Sequence, residues 1–205
     1  MSTFRTTAIV LNKTRLNEAD RLYVLYTPEH GKIEARARAA ARSKSKLAGS
    51  IEPISLVEVM IAKGKYYDIV AGAQLVKHYQ FDDWQVFQQV AVVREIFCRI
   101  IKPGLSDESM YEKLFGYLET IQKDNSIAVS RLLTQRFIWQ SLDLLGLATA
   151  SKLKQPHEPE LLTYCLGDKK GQLAFAEGAL RELEVFTRQY FLNITESDLK
   201  SFSLL

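Results

Sequence analysis

Residues 21–41 read RLYVLYTPEHGKIEARARAAA and contain two candidate strands joined by a turn. Arg21–Thr27 alternates apolar and polar side chains, as a half-buried strand does. In the turn, Pro28 restricts φ and Gly31 can adopt positive φ. Lys32–Ala41 is the next predicted strand, because small apolar residues alternate there with charged ones. The stretch therefore indicates β structure in the first part of the chain.

Three further strands are predicted around this pair, at Phe4–Asn12, Ile54–Ala62 and Tyr66–Ala73. The last two are separated by the turn Lys63-Gly64-Lys65. Five short strands with regular turn signals favour a small barrel or sandwich. A five-stranded barrel of this length has the size of an OB-fold, which frequently binds oligonucleotides.

From Asp82 onward the apolar residues recur at helical spacing. The sequence therefore predicts an α+β protein, with an OB-fold nucleic-acid-binding domain at residues 1–79 and a helical domain at residues 80–205. Ser106 is the expected cap of the second helix, and Ala150–Pro159 is expected to be a loop. The predicted helices are Trp84–Ile101, Ser109–Ile121, Ile127–Leu145, Glu177–Leu192 and a short one at Thr195–Phe202.

The composition, 47% hydrophobic and 25% charged, is typical of a soluble globular protein. No apolar run reaches the length of a membrane span or of a signal peptide, so a cytoplasmic location is expected and no membrane partner. Cys98 and Cys165 are isolated and are interpreted as packing residues.

The charge is divided unevenly along the chain. Residues 1–80 contain 13 Lys and Arg against 7 Asp and Glu, whereas residues 81–205 contain 14 against 17. A basic half attracts polyanions, so the first domain is the expected site of polyanion binding.

The basic segment Gly31–Lys46, GKIEARARAAARSKSK, is the candidate contact. Its six cations all occupy even positions, and alternate residues of a strand share one face. A strand would thus present a row of cations at roughly the spacing of phosphates along a nucleic acid. The cations are Lys32, Arg36, Arg38, Arg42, Lys44 and Lys46.

Two other interpretations of this segment remain open. A solvated basic edge strand prevents edge-to-edge pairing without binding any ligand. The alanine-rich run also has high helix propensity, and in a helix Arg38, Arg42 and Lys46 would still align. Tyr66, beside the Lys63–Lys65 turn, is the best candidate for stacking on a base.

Catalytic motifs are not found in the sequence. His30, His78 and His157 are far apart and have no partner at ligand spacing, and no phosphate-binding, nucleophile-elbow or HExxH motif occurs. The chain is therefore predicted to be a non-enzymatic binding protein that needs no cofactor.

Several runs resemble the N-terminal domain of the bacterial DNA repair protein RecO family. They include Ala8-Ile-Val-Leu, Glu18-Ala-Asp-Arg-Leu, Tyr26-Thr-Pro-Glu-His-Gly-Lys and Lys44-Ser-Lys-Leu-Ala-Gly-Ser-Ile-Glu-Pro. The resemblance continues at Leu56-Val-Glu-Val and Lys63-Gly-Lys, and more weakly in the helical half at Arg136-Phe, Leu145-Gly and Leu199-Lys-Ser-Phe.

The resemblance implies binding of single- and double-stranded DNA, annealing of complementary strands and assistance with RecA loading, usually together with RecR. It implies a nucleoid-associated role in DNA repair and recombination. The family's DNA-contacting basic residues correspond here to Arg36, Arg38, Arg42, Lys44 and Lys46.

The sequence departs from the family at two places. Ala39 stands where the family often has glycine, so a positive φ there would be strained. Many members carry a four-cysteine zinc site late in the chain, of which Cys165 is the cysteine kept here. A structural zinc ion needs four ligands, so no zinc is expected.

The helical domain is expected to dock protein partners. An acidic tail such as that of single-stranded-DNA-binding protein would need an apolar groove with a cation at its edge. Arg131 and Arg136 flank an apolar stripe and are the candidates. An alternative function for the whole chain is a non-catalytic adaptor whose basic patch binds an acidic protein tail.

Overall fold

The computed structural model describes residues 2–41, 47, 49–124, 126–148, 159–167, 177–195 and 201. Two compact units divide the chain, Met1–Gln80 with Phe97–Phe115, and Phe81–Ile96 with Gly116–Leu205. The predicted domain boundary between residues 79 and 80 remains a prediction.

Five strands of the first unit form a closed barrel in the order β1-β2-β3-β5-β4. Antiparallel pairs join β1 to β2 and β4, β2 to β3, and β4 to β5, and a parallel pairing of β3 with β5 closes the ring. This arrangement confirms the predicted α+β class and the five-stranded OB-fold barrel. The strands are β1 Thr3–Arg15, β2 Arg21–Thr27, β3 Gly31–Ala37, β4 Ser55–Ala62 and β5 Asp68–His78.

Alternate residues of the strands fill the barrel core. In β3, Ile33, Ala35 and Ala37 are buried in this core, while Glu34 is exposed. Tyr23 and Leu25 of β2 pack in the same cluster, as do apolar residues of β1, β4 and β5. The period-2 pattern therefore assigns these side chains to the correct faces of the strands.

The third strand is shorter than the predicted Lys32–Ala41, because it ends at Ala37. Residues 38–41 form a turn in which Ala39 has a φ of 54°. The Ala39 N–H donates a hydrogen bond to Asp20 Oδ1 at 2.8 Å, and the Ala41 N–H donates to the Ala19 carbonyl at 2.8 Å. These bonds turn the chain away from the strand direction.

The beginning of β3 lies against the chain that follows residue 100. Gly31 has a φ of 62°, and a Cβ atom there would lie 2.0 Å from the Leu105 carbonyl oxygen, so the position requires glycine. The Gly104 N–H donates to the Lys32 carbonyl at 3.2 Å. One end of β3 is consequently covered.

Five helices follow the barrel: α1 Trp84–Ile100, α2 Glu108–Lys123, α3 Ile127–Leu144, α4 Pro159–Leu166 and α5 Glu177–Thr195. Asp107, rather than the predicted Ser106, caps α2, since its Oδ1 accepts the Met110 N–H at 3.0 Å. Helix α4 was not predicted, and of the expected Thr195–Phe202 helix the structure describes Thr195 and Ser201.

Helix α3 supplies much of the core of the second unit, with Phe137, Trp139 and Leu142 buried. Trp139 Nε1 donates a hydrogen bond to Thr187 Oγ1 of α5 at 3.0 Å. No helix in the described part of the chain is both long and apolar enough to span a membrane.

Candidate nucleic-acid interface

Three strand ends meet at one end of the barrel and bring arginines together. Arg15 at the end of β1 pairs in register with Arg21 of β2, and Arg21 pairs with Ala37 at the end of β3. Arg38 follows Ala37 directly. Because neighbouring strands lie about 4.8 Å apart, the backbone of all three residues lies at this one end of the barrel. Arg15, Arg21 and Arg38 are called the barrel-end arginine cluster below.

The members of this cluster are available to a ligand to different degrees. Arg15 and Arg38 are exposed, and Arg21 is partly buried. Arg15 Nε donates to the Asn17 carbonyl at 3.4 Å and Arg21 Nη1 to the Asp20 carbonyl at 3.3 Å, both neutral acceptors. Arg38 forms no hydrogen bond or ion pair with any residue that the structure describes. Among the residues that the structure describes, none of the three guanidinium groups is thus paired with an acid.

Asp20 lies in the turn between β1 and β2, next to the cluster, and its carboxylate is fully engaged. Its Oδ1 accepts the Ala39 N–H at 2.8 Å, and its Oδ2 accepts from Asn17 Nδ2 at 2.8 Å and from Arg36. The Ala39 N–H, the Asn17 amide and the Arg36 guanidinium lower the pKa of Asp20 to about 2. The side chain is therefore ionised at neutral pH and joins β3 to the β1–β2 turn.

Arg36 is the partner of this carboxylate rather than an unpaired surface cation. Its Nε and Nη2 both donate to Asp20 Oδ2, at 2.8 and 2.5 Å. Arg36 faces outward, as the alternation predicts, but its charge is compensated by the buried Asp20. Such a forked pair has little charge left to offer a phosphate.

Lys32 does not belong to an exposed row, and this prediction was wrong. Its residue is only 8% exposed, and its Nζ donates to the Cys98 carbonyl at 2.7 Å. Alternation places Lys32 on the outer face of the strand correctly. The chain at Cys98 and Pro103 covers that part of the face, so no cation is presented there.

The remaining cations of the basic segment, Arg42, Lys44 and Lys46, lie outside the described residues. They follow in the chain directly after Ala41, which is held by its hydrogen bond to the Ala19 carbonyl. The role predicted for these three cations remains a prediction.

Tyr66 lies between β4 and β5 and is 84% exposed. The Lys65 Nζ lies 5.4 Å from the centre of its ring, close enough for a cation–π contact. An ion pair between Lys63 Nζ and Asp68 Oδ2, 2.8 Å apart, ties the two sides of this loop together. The ring is accessible to a stacking partner, and a basic side chain lies beside it.

Arg131 and Arg136 hold helices of the second unit together. Arg131 is bound by both carboxylate oxygens of Glu184, with Nε–Oε1 and Nη2–Oε2 distances of 2.8 and 2.7 Å, and it also pairs with Glu177. Arg136 donates to Tyr164 Oη at 3.2 Å and to the Gly167 carbonyl at 3.1 Å. Arg131 is thus paired with two acids, whereas the acceptors of Arg136 are neutral, and the docking role predicted for both arginines remains a prediction.

Among the described residues, no group of three or more His, Cys, Asp or Glu side chains could hold a metal ion. Cys165 is buried, and burial raises the pKa of its thiol to about 12, as expected of a packing residue. Residues 168–176, which belong to the stretch compared with the zinc site, lie outside the described residues.

Arg15, Arg21 and Asp20 are the site residues that sequence reasoning missed. The run Glu18-Ala-Asp-Arg was noticed as a family-like motif, but its charges mix both signs. The available signal was register, because a short β1–β2 connection places the last residue of one strand opposite the first of the next. Counting charges within one segment could not reveal a cluster assembled from three strands.

Comparison with known proteins identifies the first 79 residues as a match to the family model described as "Recombination protein O N terminal". Over 150 residues the chain is 29% identical to the DNA repair protein RecO of Bifidobacterium longum (strain DJO10A), covering 71% of the chain and 62% of that protein. The DNA repair protein RecO of Dehalococcoides mccartyi (strain ATCC BAA-2266) is 31% identical over 144 residues, covering 70% of the chain and 56% of that protein. In these alignments the chain thus spans about three fifths of the length of the relatives.

Proposed function

We propose that this chain, whose first 79 residues match the model of the recombination protein O N-terminal domain and which is similar to RecO DNA repair proteins, binds single- and double-stranded DNA in repair and homologous recombination. Binding depends on the charge of the barrel-end arginine cluster and of the cations at positions 42, 44 and 46. No covalent step is involved, so the protein acts without being an enzyme.

The observation that carries this proposal is the position of three arginines at adjoining strand ends. Arg15, Arg21 and Arg38 make no ion pair with any described acid, and the chain continues from them into three more cations. Guanidinium groups bind phosphate in a forked geometry and release the counterions of the nucleic acid. The contacts are to the backbone and carry little sequence information.

The exposed ring of Tyr66 suits a second kind of contact, in which a base stacks on it. Duplex DNA keeps its bases inside the helix, whereas a single strand exposes them. The proposal therefore gives Tyr66 a role with single strands, and the arginine cluster a role with both forms of DNA.

Strand annealing follows from the same charges. Two DNA strands repel each other, and a basic surface that neutralises their phosphates allows them to approach and pair. By analogy with its family, the protein is proposed to assist RecA loading together with RecR, and to meet the C-terminal tail of single-stranded-DNA-binding protein. These partners rest on the resemblance, and the docking role predicted for Arg131 and Arg136 belongs to the same proposal. A nucleoid-associated location belongs to the same proposal.

A titration with fluorescently labelled oligonucleotides tests the proposal. Single- and double-stranded probes of about 20 nucleotides are expected to bind at 50 mM salt, with affinity that falls steeply by 200 mM. Annealing of two complementary strands is then followed by energy transfer between terminal dyes. If the probes bind at neither 50 mM nor 200 mM salt, the proposal is contradicted, and an adaptor whose basic patch binds an acidic protein tail is favoured.

A further inference from the structure

We propose that Asp20 is the positioning residue of this interface, and that Arg36 holds Asp20 in place through their ion pair rather than contacting DNA. The inference deepens the proposed function and rests on it. It assigns a buried acid a favourable role in binding a polyanion, which charge considerations by themselves would not suggest.

The first observation is the number of groups that converge on this one carboxylate. Asp20 receives hydrogen bonds from Asn17, from the Arg36 guanidinium and from the Ala39 backbone. Asn17 in turn accepts the Ala19 and Asp20 N–H groups on its Oδ1 at 3.0 and 2.8 Å. A turn built in this way holds the carboxylate in a single orientation.

The second observation is the conformation that Asp20 imposes on the chain after β3. Ala39 is held in the left-handed region at a φ of 54°, which an alanine rarely adopts unless its surroundings require it. The hydrogen bond from the Ala41 N–H to the Ala19 carbonyl fixes the chain two residues further on. Both anchors lie on the turn that contains Asp20.

In the chain, Arg38 lies between two residues, Arg36 and Ala39, that are both hydrogen-bonded to the Asp20 carboxylate, an arrangement called the clamp below. On one side Arg36 is locked by its forked pair with Asp20, and on the other side Ala39 is locked by its N–H bond to the same side chain. The backbone of Arg38 is therefore held at the end of the barrel where Arg15 and Arg21 lie, rather than on a loose loop. A cation that is already in place loses less conformational freedom on binding, which favours affinity.

The test compares two substitutions that remove the same negative charge. Asp20→Asn leaves one acceptor oxygen where the clamp uses two, whereas Glu18→Gln changes an exposed acid of the same turn that forms no hydrogen bond or ion pair with the described residues. A purely electrostatic role predicts that both variants bind a labelled 20-nucleotide strand more tightly. The positioning role predicts that Glu18→Gln binds more tightly and that Asp20→Asn binds about threefold to tenfold more weakly.

Asp20→Glu serves as the variant that keeps the charge. It moves the carboxylate outward by one methylene group, so it is expected to weaken binding although the net charge is unchanged. Circular dichroism and thermal unfolding in the binding buffer establish that each variant is folded at the temperature of the titration, so that loss of fold is not read as loss of positioning.

A double-substitution cycle distinguishes direct contact of Arg36 with DNA from an effect of Arg36 that acts through Asp20. If Arg36 touches DNA directly, the losses caused by Asp20→Asn and Arg36→Gln add in the double variant. If Arg36 acts only through Asp20, the double variant binds no more weakly than the weaker of the two single variants.

Different results would overturn the proposed function and the positioning role of Asp20. A wild-type protein that binds neither probe overturns the proposed function. A wild-type protein that binds, together with an Asp20→Asn variant that binds as tightly as Glu18→Gln, overturns the positioning role of Asp20. Additive losses of DNA affinity in the cycle overturn the proposal that Arg36 acts through Asp20.

Discussion

At the scale of single residues, Ala39 has a strained backbone conformation in which its N–H bonds to Asp20. A φ of 54° places the Cβ of an L-residue too close to the following carbonyl, at a cost of roughly 1–2 kcal/mol. The Ala39 N–H donates to Asp20 Oδ1 and holds the residue there, and this bond is the largest cause of the lowered pKa of Asp20. The position where glycine was expected from the family therefore keeps the glycine-type backbone with an alanine in it.

Replacing Ala39 with glycine is expected to stabilise the protein by about 0.5–1 kcal/mol. Relief of the left-handed strain exceeds the extra freedom that glycine gives the unfolded chain. Urea unfolding of wild type and variant measures the change. Ala41→Gly is the matched control, because Ala41 has no positive φ and the same substitution there is expected to lower stability. A destabilised Ala39→Gly variant would contradict the strain assigned to this turn.

The stabilising effect of Asp20 is expected to depend on pH in one direction. The pKa of the folded state, about 2, lies below the unfolded value of about 3.9. Its contribution is therefore fully present above pH of about 5 and is lost as the pH falls toward 2. The difference in unfolding free energy between wild type and Asp20→Asn should be flat at higher pH and shrink below about pH 4. A difference that grows on acidification would show that the sign is wrong.

Sequence periodicity predicted which way the residues of β3 point, but not what they meet. Lys32 and Arg36 lie on the outer face as expected, yet one is covered by the chain at Cys98 and the other is paired with Asp20. Those partners lie 66 and 16 residues away in the sequence. Alternation is a property of one strand, whereas burial and pairing depend on chain segments that only the complete fold brings together.

At the scale of elements, the hairpin between β4 and β5 offers an exposed aromatic ring on a tied loop. The ion pair between Lys63 and Asp68 spans the loop, and a Cβ at Gly64 would lie 1.9 Å from the Tyr67 carbonyl oxygen. The loop is thus held by side-chain and backbone contacts, while the exposed ring of Tyr66 contacts the Lys65 ammonium group. A ring presented in this way is suited to stacking.

Tyr66→Ala is expected to weaken binding of single-stranded DNA about fivefold to a hundredfold, the range of one base–aromatic stack. Binding of duplex DNA and the melting temperature should be nearly unchanged, because the ring is exposed. Tyr66→Phe keeps the stacking face and should restore most of the affinity. An equal loss for single and double strands would argue against stacking.

Between α3 and α5, the pair of Arg131 and Glu184 is partly buried, with both side chains 18% exposed, whereas Glu177 is 73% exposed. Arg131→Ala is expected to lower the unfolding free energy by about 2 kcal/mol, because it leaves Glu184 without its guanidinium. Glu177→Ala should change it by less than about 0.5 kcal/mol. Denaturant titration of both variants checks the ranking, and equal effects would contradict it.

Long periodic helices were predicted to within a few residues, but α4 was not predicted. It has only eight residues, begins at Pro159, and follows a polar stretch that reads as a loop. Proline is compatible with the first turn of a helix, so it did not exclude one, but so short a segment has almost no periodicity to detect. Its helical state depends on packing against α3 and α5, which the sequence does not reveal.

At the scale of the whole molecule, the positive charge lies in the first 80 residues and the acidic excess in the rest. Charge counting predicted this division, and the barrel gives it a location at the ends of β1, β2 and β3. The strand pairing adds arginines from β1 and β2 to the predicted basic segment, in which the roles of Arg42, Lys44 and Lys46 remain a prediction. Polyanion binding remains the proposal that these charges support, with a different set of central residues.

The slope of affinity against salt, measured for two charge-matched triple variants, decides whether the cluster is the nucleic-acid contact. One variant replaces Arg15, Arg21 and Arg38 with glutamine, and the other replaces Lys102, Lys123 and Arg181, which are exposed cations elsewhere in the chain. Both lose three positive charges, so general electrostatics affects them alike. Loss of three phosphate contacts should reduce the slope of log K against log salt by about 2 in the first variant and leave it near wild type in the second. Equal slopes and equal affinities for the two variants would contradict a binding site at this end of the barrel.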